Sequence, residues 1–280
     1  MKILKYISLF LVAAVTACSS DSDEILLVNE TEGLLKIQTL QNEHHELELY
    51  SENGKLQTGY NKIVLRLKDK EDEAYISNAE IDWMPMMQME SMQHSAPKSE
   101  VLRVPDTETL YAGYVIFQMA ENESEFWRLK ISYTIGGENF TMQDDLVVPA
   151  SNRREVTVFE GSDSIKYIMA LVEPREPEVA TNNISIALFK MEDMHNFLMV
   201  DDYRILIDPR MPGMGNHSSP NNVHLTQNKE DGFYYGDLNL TMSGYWKINL
   251  QLENAAGEIV KGEAIEGAAE SSSIFLELEF

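Results

Sequence analysis

Cysteine is nearly missing from this chain: Cys18 is the only one in 280 residues. A single thiol builds neither an intramolecular disulfide nor a thiolate cluster, so any metal ion must be held by other donors. Basic residues are scarce too, 22 against 46 acidic, for a formal charge of −24. A field of that sign repels nucleic acid and anionic lipid and attracts cations, and nucleic-acid binding is set aside; the same charge also serves solubility alone. Beyond residues 1–17, no segment approaches the ~18 consecutive apolar residues of a spanning helix. Catalytic signatures are absent as well: no Gly-x-Ser-x-Gly elbow, no His-Glu-x-x-His, no P-loop and no dinucleotide glycine motif. Carboxylates are too numerous for one pair to stand out, and the chain is expected not to be an enzyme.

What is present begins with residues 1–17, which carry Lys2 and Lys5, an apolar stretch over 7–15 and small residues before Cys18. That is the order of a secretory signal, too short to span a bilayer. Val15-Thr16-Ala17-Cys18 resembles the lipobox of bacterial lipoproteins, which implies lipid on Cys18 and membrane attachment through it. The following Ser19-Ser20-Asp21-Ser22-Asp23-Glu24 favours a solvated chain, so 18–32 are expected to form a mobile acidic tether. It is similar to the acidic export signals in surface lipoproteins of Bacteroidota and implies the outer membrane, with the periplasmic or surface face left open. Once Lys2 and Lys5 leave with the signal, the charge becomes −26 (20 basic against 46 acidic). With Cys18 lipidated no thiol remains, and methionine is the soft donor that persists in an oxidising envelope, although its sulfoxide is a hazard.

The remaining chain alternates short apolar runs with turn signals. Lys62-Ile63-Val64-Leu65-Arg66-Leu67, Leu129-Lys130-Ile131-Ser132-Tyr133, Asn183-Ile184-Ser185-Ile186-Ala187-Leu188 and Trp246-Lys247-Ile248-Asn249-Leu250-Gln251-Leu252 have a period of two. Asn53-Gly54, Gly136-Gly137, Asp231-Gly232 and Ala256-Gly257 punctuate them. No sustained helical period appears. The expectation is an all-β protein of two tandem immunoglobulin-like antiparallel β-sandwiches, 33–160 and 163–280, closed by strands at 153–159 and 273–280.

The halves repeat an unusual pattern. Trp83-Met84-Pro85-Met86-Met87-Gln88-Met89-Glu90-Ser91-Met92-Gln93-His94 answers to Met211-Pro212-Gly213-Met214-Gly215-Asn216-His217. Tyr114, Met119 and Trp127 then answer to Tyr235, Met242 and Trp246. Asn61-Lys62-Ile63 matches Asn182-Asn183-Ile184 at an offset of 121, Met84 matches Met211 at 127, and Trp127 matches Trp246 at 119.

Thioethers are soft neutral donors and imidazole is borderline, a mixture that suits Cu(I) better than Mg²⁺, Ca²⁺ or Mn²⁺. Methionine also fills cores, and Met169 and Met199, in apolar runs, are read as packing, while Met142 and Met191 carry no signal. Five of the fifteen methionines, Met84, Met86, Met87, Met89 and Met92, fall within nine residues. Pro85 bars regular ladder pairing, so this segment is expected to be a loop that folds its sulfurs, with His94 and Met119, around one ion. A Met-rich contact surface is the competing reading.

In the second copy Gly213 and Gly215 are expected to turn the backbone sharply enough for Met211, Met214 and His217 to converge, helped by Met242. Met211 can instead pack on Trp246. Glu43-His44-His45-Glu46 reads as a charged strand entry, with Cu(II) or Zn²⁺ binding as the alternative, and His224 as a satisfied strand histidine. Met191-Glu192-Asp193-Met194-His195 lies one strand before the second Met-Pro motif, which would put it at the opposite end of that sandwich as a separate, weaker site. The tryptophans are read as core anchors.

The motifs resemble the YtkA-like and FixH-like family of small immunoglobulin-like β-sandwiches in bacterial envelopes. Its Met-Pro-x-Met-x-x-His loop, Gly-x-Tyr/Phe strand and Met-x-Gly-x-Trp strand are met by 211–217, Gly232-Phe233-Tyr234 and Met242-Ser243-Gly244-Tyr245-Trp246. The first copy departs from it: Gly113-Tyr114 and Trp127 are present, but Met119 lacks the Gly-x-Trp element and His94 lies ten residues after Met84. The resemblance implies copper trafficking, copper tolerance or oxidase assembly, with a copper-donor or copper-acceptor envelope protein as partner. The alternative is a non-catalytic, adhesin-like interaction module.

Replacing Cys18 by Ala is expected to move the protein from the membrane pellet to the soluble fraction of lysed cells. Unchanged membrane association would contradict the lipid anchor.

Overall fold

The computed structural model describes residues 29–266 and 270–280; the signal, Cys18 and most of the expected tether lie outside the described residues. Strands β1 (Leu35–Gln41), β2 (His45–Ser51), β3 (Gly59–Asp69), β4 (Glu80–Gln88), β5 (Gln93–Ser95), β6 (Leu102–Arg103), β7 (Leu110–Phe117), β8 (Phe126–Ile135) and β9 (Glu138–Leu146) build the first half. They form two antiparallel layers, β1-β2-β3-β7-β6 and β5-β4-β8-β9, around Trp83, Trp127, Leu65, Phe117 and Ile131. The period of two explains the layers: in β4, Ile81, Trp83, Pro85 and Met87 turn inward while the residues between them turn out.

In the second half come β10 (Val156–Glu160), β11 (Lys166–Glu173), β12 (Thr181–Met191), β13 (Phe197–Met199), β14 (Arg204–Met211), β15 (His217–Ser218), β16 (Val223–Gln227), β17 (Tyr234–Asn239), β18 (Tyr245–Glu253), β19 (Ile259–Lys261) and β20 (Phe275–Glu279). The order β10-β11-β12-β17-β16-β14-β18-β19 folds into two layers joined through β16, with Trp246, Tyr234, Ile207 and Leu250 between them. Among the described residues there is no α-helix, only a 3-10 turn over Pro212–Met214. The all-β expectation holds.

The two halves make the same bonds. The Asn61 side chain donates to the carbonyls of Gln57 and Gly59 and accepts from Gln57 N–H; Asn182 treats Glu178 and Ala180 in the same way. Ile63 lies opposite Gly113, and Ile184 opposite Gly236. Pro85 lies opposite Leu129, and Pro209 opposite Ile248. This register equates Met87, not Met84, with Met211, and Gly236, not Gly232, with Gly113. It also pairs Tyr111 with Tyr234 rather than Tyr114 with Tyr235, since Tyr111 faces Leu65 and Tyr234 faces Ile186. The sequence match slipped by three residues because the run around Met84 offers several methionines to align.

Two expectations about boundaries fail. The 153–159 run does not close the first sandwich: β10 pairs with β11, and Phe159 packs in the second core. A strand's own residues do not say which neighbour it will bond. Residues 29–32 are not tether either, since the Glu30 carboxylate accepts bonds from the backbone N–H groups of Glu108 and Thr109 and the Thr109 hydroxyl, beside Arg66.

A third apolar cluster joins the halves. Ile116 of β7, with Tyr60 and Tyr114, packs on Ile168, Ala170, Val172, Ala187 and Phe189 from the outer faces of β11 and β12. β11 is therefore covered on both sides, which accounts for its unbroken run Tyr167-Ile168-Met169-Ala170-Leu171-Val172.

Close approach fixes Gly113. A Cβ there would meet Trp83 Cζ2 at 2.6 Å, Ser99 Oγ at 2.8 Å and the Glu100 carbonyl at 2.9 Å, while the Trp83 indole is held by its bond to the Ser99 carbonyl (2.8 Å). Gly113→Ala is expected to lower stability by about 1–3 kcal/mol, the usual cost of overpacking. Urea denaturation reads this directly, and an unchanged midpoint would contradict the packing.

Candidate functional site

The methionine run is mostly strand. β4 continues through Gln88, so Met84 and Met86 lie on its outer side and Met87 is wholly buried in the core beside Trp127. A strand splits neighbouring side chains between two faces, and the expected loop gathering all five sulfurs does not form. Pro85 is tolerated because β5 begins to pair only at Met86. The Pro85 carbonyl, which points to that side, accepts the Ser95 hydroxyl at 2.9 Å, and the same hydroxyl lies 3.3 Å from the Met84 sulfur. Met84 is thus engaged locally and Met87 is core.

Met89 and Met92 occupy the β4–β5 turn, closed by a bond from Met89 N–H to the Met92 carbonyl (3.1 Å). Two residues on, His94 pairs opposite Met87 and sets its ring edge-on to Trp127, 5.5 Å between centroids. Met119 follows β7, where its carbonyl accepts the Trp127 indole N–H at 2.9 Å. His94 Nδ1 lies 2.8 Å from the Ser95 carbonyl. A carbonyl only accepts, so Nδ1 carries the proton, and in the neutral ring Nε2 is then the nitrogen with the lone pair, the arrangement that prepares an imidazole for a metal.

The second domain repeats the frame but not the gathering. His217 lies opposite Met211, and the Met242 carbonyl takes the Trp246 indole N–H at 2.9 Å. Met211, however, is buried in the core with its methyl against Gly244, whereas Met214 is 59% exposed and His217 stands in solvent. Gly215 takes the left-handed conformation (φ 66°), but only to end the 3-10 turn that presents Met214 outward. The expected set of Met211, Met214, His217 and Met242 is split between core and surface.

The other histidines are satisfied or free. His45 is buried; its Nδ1 meets the Tyr133 hydroxyl at 2.9 Å, and burial holds its pKa below the ordinary imidazole range. His224 Nδ1 accepts the Ile207 N–H at 3.1 Å, and burial lowers its pKa as well. His195 is exposed on the turn before β13.

What the structure does gather lies between the domains. A cavity of about 330 Å³ is lined by Met89, Met92, His94, Gln118 and Met119 of the first domain. Across from them stand Val158, Lys166, Ile168, Met191, Met194 and Phe197 of the second. Met194 lies, as expected, at the end of the second sandwich opposite Met211, since Arg204 at the start of β14 is level with Ser185 of β12 and the two strands run in opposite directions. There its carbonyl accepts Ser95 N–H at 2.8 Å, next to His94 of the first half. Gln118 donates to the Ser95 carbonyl (3.4 Å), and its Oε1 is buried with no hydrogen-bond partner among the described residues. A buried acceptor without a donor invites a water or a cation. No carboxylate lines the cavity, and among the described residues no three His, Cys, Asp or Glu side chains converge. Hard divalent cations therefore gain little here, while a soft monocation finds thioethers and one imidazole. The sequence signals this site only through the density of methionine at 84–92 and 191–194.

Residues 162–251 match the family described as YtkA-like, a segment that runs from the turn before β11 almost to the end of β18 and holds Met211, His217, Met242 and Trp246. The resemblance is shown for the second domain. Among solved structures, a conserved domain protein from Bacillus anthracis is similar over 90% of this chain and 93% of its own, at 10% identity and a TM-score of 0.31. No curated protein matches.

Proposed function

We propose that this chain is a lipid-anchored, non-catalytic lipoprotein of the bacterial envelope that binds Cu(I) through thioether and imidazole donors, for copper trafficking, tolerance or oxidase assembly. The first domain is then a second copy of the YtkA-like unit. The shared asparagine bonds, the proline register and the two Trp-to-Met carbonyl bonds support that duplication.

One observation carries the copper reading. His94, its Nδ1 committed to a carbonyl, borders a cavity with Met89, Met92 and Met119 and no carboxylate. Three thioethers and an imidazole leave a bound Cu(I) with a single positive charge, which a site without anions tolerates far better than it would Zn²⁺ or Cu(II). Lys166 is the one charge on the wall, and its exposed side chain can swing to water. The acidic surface supports cation capture at long range, and a copper-donor or copper-acceptor protein of the envelope is the partner that this chemistry fits.

The apolar part of the wall, Val158, Ile168 and Phe197, favours a second reading, in which the Met-rich cavity receives an apolar side chain of a protein partner.

An anaerobic Cu(I) competition titration of the soluble chain beginning at Ser19 separates the two. One tight equivalent is expected, abolished by His94→Ala with Met92→Leu and unaffected by Met214→Leu with His217→Ala. No uptake by the wild type would end the copper reading in favour of the contact surface.

A further inference from the structure

We infer that the second domain completes the copper site, Met191 and Met194 of the β12–β13 hairpin supplying thioethers across the domain boundary, so that one ion clamps the two sandwiches together. The inference rests on the copper reading above and goes beyond it, because the donors of the second domain come from outside its own Met-Pro motif.

Three features of the hairpin support it. Its position is set by backbone, through the Ser95 N–H bond to the Met194 carbonyl (2.8 Å), so Met194 is delivered beside His94 whatever its side chain does. Its turn is locked from within: Asp193 accepts the N–H groups of His195 (2.7 Å) and Asn196 (2.9 Å) on one oxygen and the Asn196 amide (2.8 Å) on the other. Neither Glu192 nor Asp193 lines the cavity, so what the hairpin presents there is sulfur. Met191 also packs on the apolar cluster that joins the domains, which places a donor at the seam itself.

The first-domain donors are meanwhile partly committed. Met89 packs against its own core, and Met119 is fixed at its backbone by Trp127. Methionine has three rotatable side-chain bonds, so thioethers from both walls can close on a small ion from the edges of an open cavity. An ion held from both sides adds its binding free energy to the domain contact, because a ligand stabilises whichever arrangement it binds.

The test uses the full soluble chain beginning at Ser19, labelled with ¹³C at the methionine methyl groups, and Ag(I) as a redox-inert soft monocation. At one equivalent the Met191 and Met194 methyl resonances are expected to shift together with those of Met92 and Met119. In the Cu(I) competition assay, Met191→Leu with Met194→Leu is expected to weaken binding more than about tenfold, the lower end of what losing even an outer-shell partner costs a metal site. Leu conserves the volume of Met and the Ser95 bond is to backbone, so the metal-free variant is expected to keep its melting temperature and the slow exchange of the Ser95 amide. If only first-domain methyls move, or the double variant binds Cu(I) as tightly as the wild type, the clamp is wrong while the copper site stands. If no methionine methyl responds to Ag(I) and no Cu(I) is taken up, the copper reading fails and the clamp with it.

Discussion

A buried tryptophan must place its indole N–H, and each sandwich is organised around how it does so. Trp127 and Trp246 are fully buried, where an unsatisfied donor would cost about 1–3 kcal/mol. Both are satisfied by a methionine backbone carbonyl, Met119 or Met242, on the segment that leaves the facing layer. That bond ties the two layers at one end and fixes the path of the segment carrying the methionine. It also sets the floor against which the edge histidine stands, His94 edge-on to Trp127 in the first domain. The candidate donors are thus placed by the needs of the core before any metal is considered.

The same frame gives different outcomes in the two domains because of what surrounds it. In the first, the second domain's hairpin covers the histidine edge and turns a surface strip into a cavity. In the second, no equivalent cover exists among the described residues, and Met214 and His217 remain at the surface. Electrostatics divides by distance in a similar way. The formal charge of −24 draws cations of every kind toward the protein, whereas the cavity, lined by thioethers and one imidazole without a carboxylate, offers donors suited to a soft ion. Sulfur donors carry a liability: oxidation of Met92, 49% exposed, would convert a soft thioether to a polar sulfoxide.

Local pattern made the strands legible. Residues 62–67, 129–133, 183–188 and 246–252 alternate with a period of two and fall within β3, β8, β12 and β18. The partner of each strand was less legible, because pairing is a tertiary matter: 153–159 has the composition of a closing strand and bonds forward instead. Met84 to Met87 looked like a loop because proline and clustered methionine are unusual in a strand, yet a proline whose nitrogen faces an unpaired stretch of edge costs nothing there. The nearness of Met194 to His94 left no trace in spacing. It follows from packing the outer face of β11 and β12 on β7, and only the richness of methionine in both segments hinted at it.

A soft ion in this cavity must be held by sulfur and one imidazole. Copper K-edge X-ray absorption of the soluble chain loaded with one equivalent of Cu(I) tests it most directly. A first shell dominated by sulfur is expected, with a single nitrogen whose outer-shell scattering is that of an imidazole. A shell of nitrogen and oxygen alone would contradict it.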